Sequence, residues 1–302
     1  MTKFQKLNKS DYDIINVTEV NTKTGQILEY EKVVYTPEGN IKMQNNFILS
    51  KALTESQEYI KERFGRFFFY FYMKMDKIDI PMAHKTRFIY LSTFLDYDTE
   101  HLVTKVKGQG NVYFRVDKKR LKDILGLNDC EHSRTLKSLL DSKVMYKDGD
   151  YFNINTDYSI CGHNDKADKD CTRIFKESIK ELYETTEAKE HKNLYYLFKL
   201  LPYINKQSNV LCDDIYAEHI CNSKPLSMHR VWGKLGMDAP NGEKVYKNLK
   251  KIKLKGQYLI AKLQIGDCEY ITVNPHLYYG GNNIEGLGFL LEAFMDASKS
   301  SK

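Results

Sequence analysis

Lys244, Lys247, Lys250, Lys251, Lys253 and Lys255 fall within twelve residues, opposed by Glu243 alone. Ammonium groups at that density point to phosphate contact, because each displaces counterions condensed on a polyanion. The plainer alternative is a solvated helix face, which is what most charge runs are. At about 100° per residue, Lys244, Lys247 and Lys251 share one stripe (i, i+3, i+7), Lys250 falls to its side, and Lys253 and Lys255 lie beyond. Asn241 and Asn248 in the same stretch have the amide geometry that bonds two edges of an adenine. A second group holds Lys118, Lys119, Arg120 and Lys122, followed by Glu131, His132, Ser133, Arg134, Lys137 and Ser138. There Arg134 is the residue type that bonds bidentately to guanine.

Catalytic chemistry has little support. No GxxxxGK[ST], GxSxG, HExxH or paired-glycine nucleotide fingerprint is present. The 22 tyrosines lack the adjacent His-x-His pair that a DNA-nicking tyrosine would use. Six cysteines are scattered with no CxxC pair, so reduced thiols are expected. Cys161 and His163 with Cys171, or His219 with Cys221, are the best zinc candidates, and each lacks a convincing fourth ligand. A non-enzymatic protein without cofactor or metal is the expectation.

An internal repeat positions the basic groups. Residues 116–144 align without a gap on residues 226–254, matching Arg120 with Arg230, Leu125 with Leu235, Gly126 with Gly236, Lys137 with Lys247 and Leu139 with Leu249. Upstream, HKTRFIYLSTFLDY from His84 pairs with HKNLYYLFKLLPYI from His191, and both read as amphipathic helices. Downstream, YFNIN ending at Asn155 pairs with YITVN ending at Asn274. Asp117 and Ser227 are N-cap residues, and Gly126 and Gly236 suit the left-handed C-cap. A further helix follows each glycine, with Leu136, Leu139 and Leu140 inward in one copy and Val245, Leu249 and Ile252 in the other. Period-two strand pairs turning at Asp148-Gly149 and Gly266-Asp267 complete each copy.

This predicts an α+β chain of two tandem winged-helix domains, each a helix-turn-helix plus β-wing, with an N-terminal β-hairpin extension. The expected boundaries are 1–75 for the hairpin and accessory region, 76–162 and 191–281 for the two domains, 163–190 for a charged linker and connecting helix, and 282–302 for a C-terminal helix and tail. The hairpin turns at Thr24-Gly25. Phe67 to Met73, FFFYFYM, reads as a buried strand or helix, with base stacking as the alternative. The C-terminal helix spans residues 284–295, could pair with a second copy in a homodimer, and leaves ASKSSK disordered. With 302 residues, a formal charge of +6 and no apolar run of membrane-spanning length, a cytoplasmic protein is expected.

Several of these stretches resemble a known family. NTKTGQILEYEKVVY, GRFFFYFYMKM, HKTRFIYLSTFLDY and the wing ending YFNINTDYSICG, and again YITVNPHLYYGG, are similar to RepL-like winged-helix replication initiators of plasmids and phages of Gram-positive bacteria. The resemblance covers residues 18–162 once and 172–281 again, whereas members of that family have a single winged helix. Initiators of theta plasmids with two winged helices are similar in architecture, and they bind origin repeats as monomers and repress as dimers. The resemblance implies sequence-specific double-stranded DNA binding in replication initiation, with replication or transcription proteins as further partners. A transcriptional regulator using the same surface, or a protein-interaction adaptor, is the alternative.

Overall fold

The computed structural model describes residues 9–20, 27–38, 40–45, 47, 62, 64–105, 112–164, 170–281 and 284–300. It divides into two compact units, Met1–Arg63 and Phe64–Lys302. In the first, β1 (Tyr12–Val20) pairs antiparallel with β2 (Ile27–Tyr35) along their whole length, from Tyr12 opposite Tyr35 to Val20 opposite Ile27. The N-terminal hairpin is therefore present, and its Thr24-Gly25 turn lies outside the described residues.

The second unit runs β3 (Phe67–Tyr70), α1 (Tyr72–Asp76), α2 (Met82–Ser92), β4 (Val103–Lys105), β5 (Tyr113–Arg115), α3 (Lys118–Leu125), α4 (Asp129–Asp141), β6 (Met145–Asp148), β7 (Tyr151–Ile154) and β8 (Ser159–Ile160). It continues as β9 (Thr172–Phe175), α5 (Lys176–Thr185), α6 (His191–Lys199), α7 (Met228–Lys234), α8 (Ala239–Lys251), β10 (Lys253–Leu254), β11 (Gln257–Tyr258), β12 (Ile260–Ile265), β13 (Cys268–Val273), β14 (Tyr278–Tyr279) and α9 (Ile284–Ser300). The chain is thus α+β, with small antiparallel sheets.

A four-stranded sheet ordered β14-β9-β3-β8 joins the two series. In its central pair Phe69 lies opposite Arg173, Phe68 opposite Ile174 and Tyr70 opposite Thr172. On the flanks Phe69 and Tyr70 face Ile160 and Ser159, while Arg173 and Ile174 face Tyr279 and Tyr278. Exchanging β3 with β9 and β8 with β14 maps this register onto itself, so a local twofold axis passes through the Phe69–Arg173 pair. The bonds beside the sheet follow the same exchange: the Phe71 amide donates to the Tyr158 carbonyl (3.0 Å) and the Phe175 amide to the Leu277 carbonyl (3.1 Å). Asn155 and Asn274 also play one role twice. Each amide side chain donates to a backbone carbonyl, of Lys143 (3.0 Å) or Tyr258 (3.2 Å), and each Oδ1 accepts the backbone N–H two residues on, at 2.9 Å.

The aromatic run is packed, with Phe68, Tyr70 and Phe71 fully buried and Arg173 over the Phe67 and Phe69 rings. Within the stretch read as a charged linker and connecting helix, α5 is the helix and β9 is a strand that was not expected. Two expectations are corrected. α2 is not amphipathic, because residues 84–92 are buried on every side between α6, α4, α5 and α3. α9 extends to Ser300, since Ala297 and Phe294 pack on Ala261 and Leu263 of β12 and burial holds the last turns. Part of the apolar face on which pairing with a second copy would rest is covered by this packing within the chain.

Burying α2 also buries charge. Arg87 is 1 % exposed, and its Nη1 donates to Thr135 Oγ1 (2.6 Å) and Glu131 Oε2 (3.1 Å) on α4. His191 is buried beside it, its ring 4.1 Å from that of Tyr183, and burial followed by the Arg87 charge pushes its pKa down to about 4. Burial lowers His84 as well. Because the unfolded chain takes up these protons first, stability present above about pH 6.5 is lost as pH falls toward 4, with about 3 kcal/mol at stake for His191. Urea melts across that window should show the loss, and His191→Gln should flatten it. An equally steep profile in the variant would contradict the assignment.

Candidate nucleic-acid interface

The two basic groups lie on helices with matching caps. Asp117 Oδ1 accepts the Arg120 amide at 2.8 Å to start α3, and Ser227 Oγ accepts the Arg230 amide at 3.4 Å to start α7. Gly126 and Gly236 follow with φ of +60° and +71°, a conformation that costs glycine least. Asn128 Oδ1 then accepts the Glu131 amide (2.9 Å) to open α4, and Asp238 Oδ1 accepts the Asn241 amide (3.0 Å) to open α8.

Position by position, α4 buries His132, Thr135 and Leu139 where α8 buries Gly242, Val245 and Leu249. The opposite stripes are Arg134, Lys137 and Asp141 on α4, and Lys244, Lys247 and Lys251 on α8, all exposed. His132 is therefore corrected from exposed reader to buried core residue. Its i, i+3, i+7 relation to Thr135 and Leu139 turns it inward, and burial lowers its pKa. Leu136 and Leu140, expected inward, are half-buried.

Charge separates the helices further. On α4, Glu131 pairs with Arg87 and with Arg134 (3.5 Å), while Asp129 holds Lys122 at 2.6 Å. The Lys122 ammonium lowers the Asp129 carboxyl, and the Arg87 guanidinium lowers that of Glu131. Arg120 is paired with its own N-cap Asp117. Lys118, Lys119, Ser133 and Lys137 remain exposed, as does Arg230 at the equivalent place on α7, and Ser138 is half-buried. On α8, Lys247 has a loose contact with Glu243 (3.8 Å), and among the described residues Lys244 and Lys251 make no ion pair. Asn241 is exposed, and Asn248 and Lys250 are half-buried, with Lys250 leaning over the Tyr246 ring.

No protein-family model, no curated protein and no solved structure matches the chain.

Beyond α8 the chain departs from the first series by a small hairpin. Lys255 and Gly256 both take positive φ, +51° and +76°, the pair that a tight turn between β10 and β11 requires. The Lys255 amide donates to Glu181 Oε1 (2.8 Å), the exposed Lys255 side chain stands at the tip, and Lys253 lies over the Tyr258 ring. The longer hairpins β6–β7 and β12–β13 turn at Gly149 and Gly266, with φ of +61° and +58°.

Two contributors to this geometry were not singled out from the sequence. Arg87 ties α4 to the core from a helix 44 residues earlier, and Gly242 lets Trp232 of α7 approach α8. Among the described residues no group of three or more His, Cys, Asp or Glu could hold a metal ion, and no helix is long and apolar enough to cross a membrane. Of the zinc candidates, His163 is paired with Asp98 at 2.8 Å, and the Cys221 side chain lies outside the described residues.

Proposed function

We propose that residues 64–302 form two winged helices that bind double-stranded DNA sequence-specifically, with α8 as the principal reading helix and α4 as the second. The observation that carries this reading is the exposed Lys244, Lys247 and Lys251 stripe, set on the third helix of its series and running into the hairpins. Only the major groove presents a distinct pattern for every base pair, and a helix is the element that fits it. Lys118, Lys119, Arg230, Lys250, Lys253 and Lys255 would then serve phosphates, and Arg134, Asn241 and Asn248 would serve base edges. The resemblance to RepL-like initiators favours plasmid or phage replication initiation as the role.

The local twofold axis adds a feature to the expected site. Extended to the reading helices, that axis would set them on half-sites in inverted orientation, so one chain should select two unequal half-sites facing each other. Selection from random duplex DNA tests this. The expected result is an inverted, imperfect pair of motifs bound by a monomer, and alanine at Arg134 or Asn241 should relax one base position at a cost of about 1–3 kcal/mol. Recovery of no enriched sequence would overturn the reading.

A further inference from the structure

The first series carries a second surface, outside the α8 lysine stripe. β7 of the β6–β7 hairpin bridges to the residues that flank the β4–β5 hairpin, Asn153 to His101 and Tyr151 to Asp117. Alternation sends Leu102, Val116, Phe152 and Ile154 into the core, all fully buried. The same alternation puts Tyr113, Arg115 and Tyr151 together on the outer face. Tyr113 is 47 % exposed and Tyr151 40 % exposed. The Arg115 guanidinium lies 4.8 Å from the centre of the Tyr151 ring, held there by Asp148 (2.8 Å) and Asn153 (3.2 Å).

Tyr113, two residues from Arg115, and Tyr151, on which that arginine stacks, present exposed π faces and hydroxyl donors. The cations around it exceed the carboxylates. Arg115 and Arg120 are each paired with an aspartate, and Asp150 stands at the β6–β7 turn, but Lys105, opposite Tyr113, and Lys118 and Lys119 make no ion pair among the described residues. Rings interleaved with excess positive charge suit a polyanion whose bases are unpaired, because every base has a face to stack and a duplex hides those faces.

From this juxtaposition we propose that the outer face of the bridged β4–β5 and β6–β7 hairpins binds single-stranded nucleic acid, with bases stacked on Tyr113 and Tyr151 and phosphates on the lysines at its edge. The site is independent of the α8 stripe and stands whether or not the duplex reading does.

The experiment measures binding of a fluorescent 20-nucleotide oligo(dT), which forms no duplex, to the full chain by anisotropy. The wild type should bind it. Tyr113→Ser with Tyr151→Ser should weaken binding by about 100-fold, roughly tenfold for each ring. Lys244→Gln, Lys247→Gln and Lys251→Gln together should leave most of that affinity in place. Ultraviolet crosslinking of the wild type, read by mass spectrometry, should put the adduct on the peptide containing Tyr113 or Tyr151, a result that needs no variant to fold. No affinity for oligo(dT), as expected if the face docks a protein, would overturn the proposal. So would full affinity in the double tyrosine variant, or adducts confined to α8.

Discussion

Gly242→Ala is expected to cost about 1–3 kcal/mol of stability, although alanine is the better helix former. A Cβ on residue 242 would sit 2.5 Å from Trp232 Cδ1, 2.6 Å from Cγ and 2.7 Å from Cβ. The Trp232 ring is 2 % exposed and edges onto Tyr196, so it has little room to retreat. α8 must then move away from α7, which displaces the lysine stripe that α7 positions. Duplex affinity should fall with stability. Gly233→Ala is the internal control, because the same substitution meets nothing within 4 Å on the exposed side of α7. There it should stabilise by about 0.5–1 kcal/mol through the helix preference alone. Urea unfolding of both variants measures the two signs. Equal effects would show that Gly242 is not a contact point between the helices.

Some of this arrangement was legible in the residues because the relevant forces are local. The caps at Asp117, Ser227, Gly126 and Gly236 each act within four residues, and each lies where the repeat put it. The β1–β2 hairpin and the turns of the β6–β7 and β12–β13 hairpins follow from alternation and from glycine at positive φ. What was hidden depends on distant partners. His132 and Thr135 are polar, and nothing near them tells that Arg87 closes over Thr135 from another helix. β3 and β9 are exchanged by the local twofold, yet FFFY and TRIF share no side-chain pattern, because backbone hydrogen bonds made the pairing. The highly charged stretch before β9 masked it further. In the candidate interface the α8 stripe was visible as a spacing of lysines, whereas the neutralisation of α4 by Glu131 and Asp129 required knowing which cations they reach.

The largest functional effect should come from removing the stripe itself. If Lys244, Lys247 and Lys251 each neutralise a phosphate, log affinity falls with log salt by about 0.9 for each, and their joint replacement by glutamine should make the slope shallower by roughly 2–3 units. Specific and random duplexes should weaken alike, since phosphates carry no sequence information. All three side chains are exposed, so melting should shift by no more than about 0.5 kcal/mol of stability. The most direct test of duplex binding through α8 is therefore a salt titration of duplex affinity for the wild type and the triple glutamine variant, with melts alongside. A shallower slope with unchanged melting is the expected result. An unchanged slope would reduce the lysine stripe to a solvated helix face and remove α8 as the principal DNA reader.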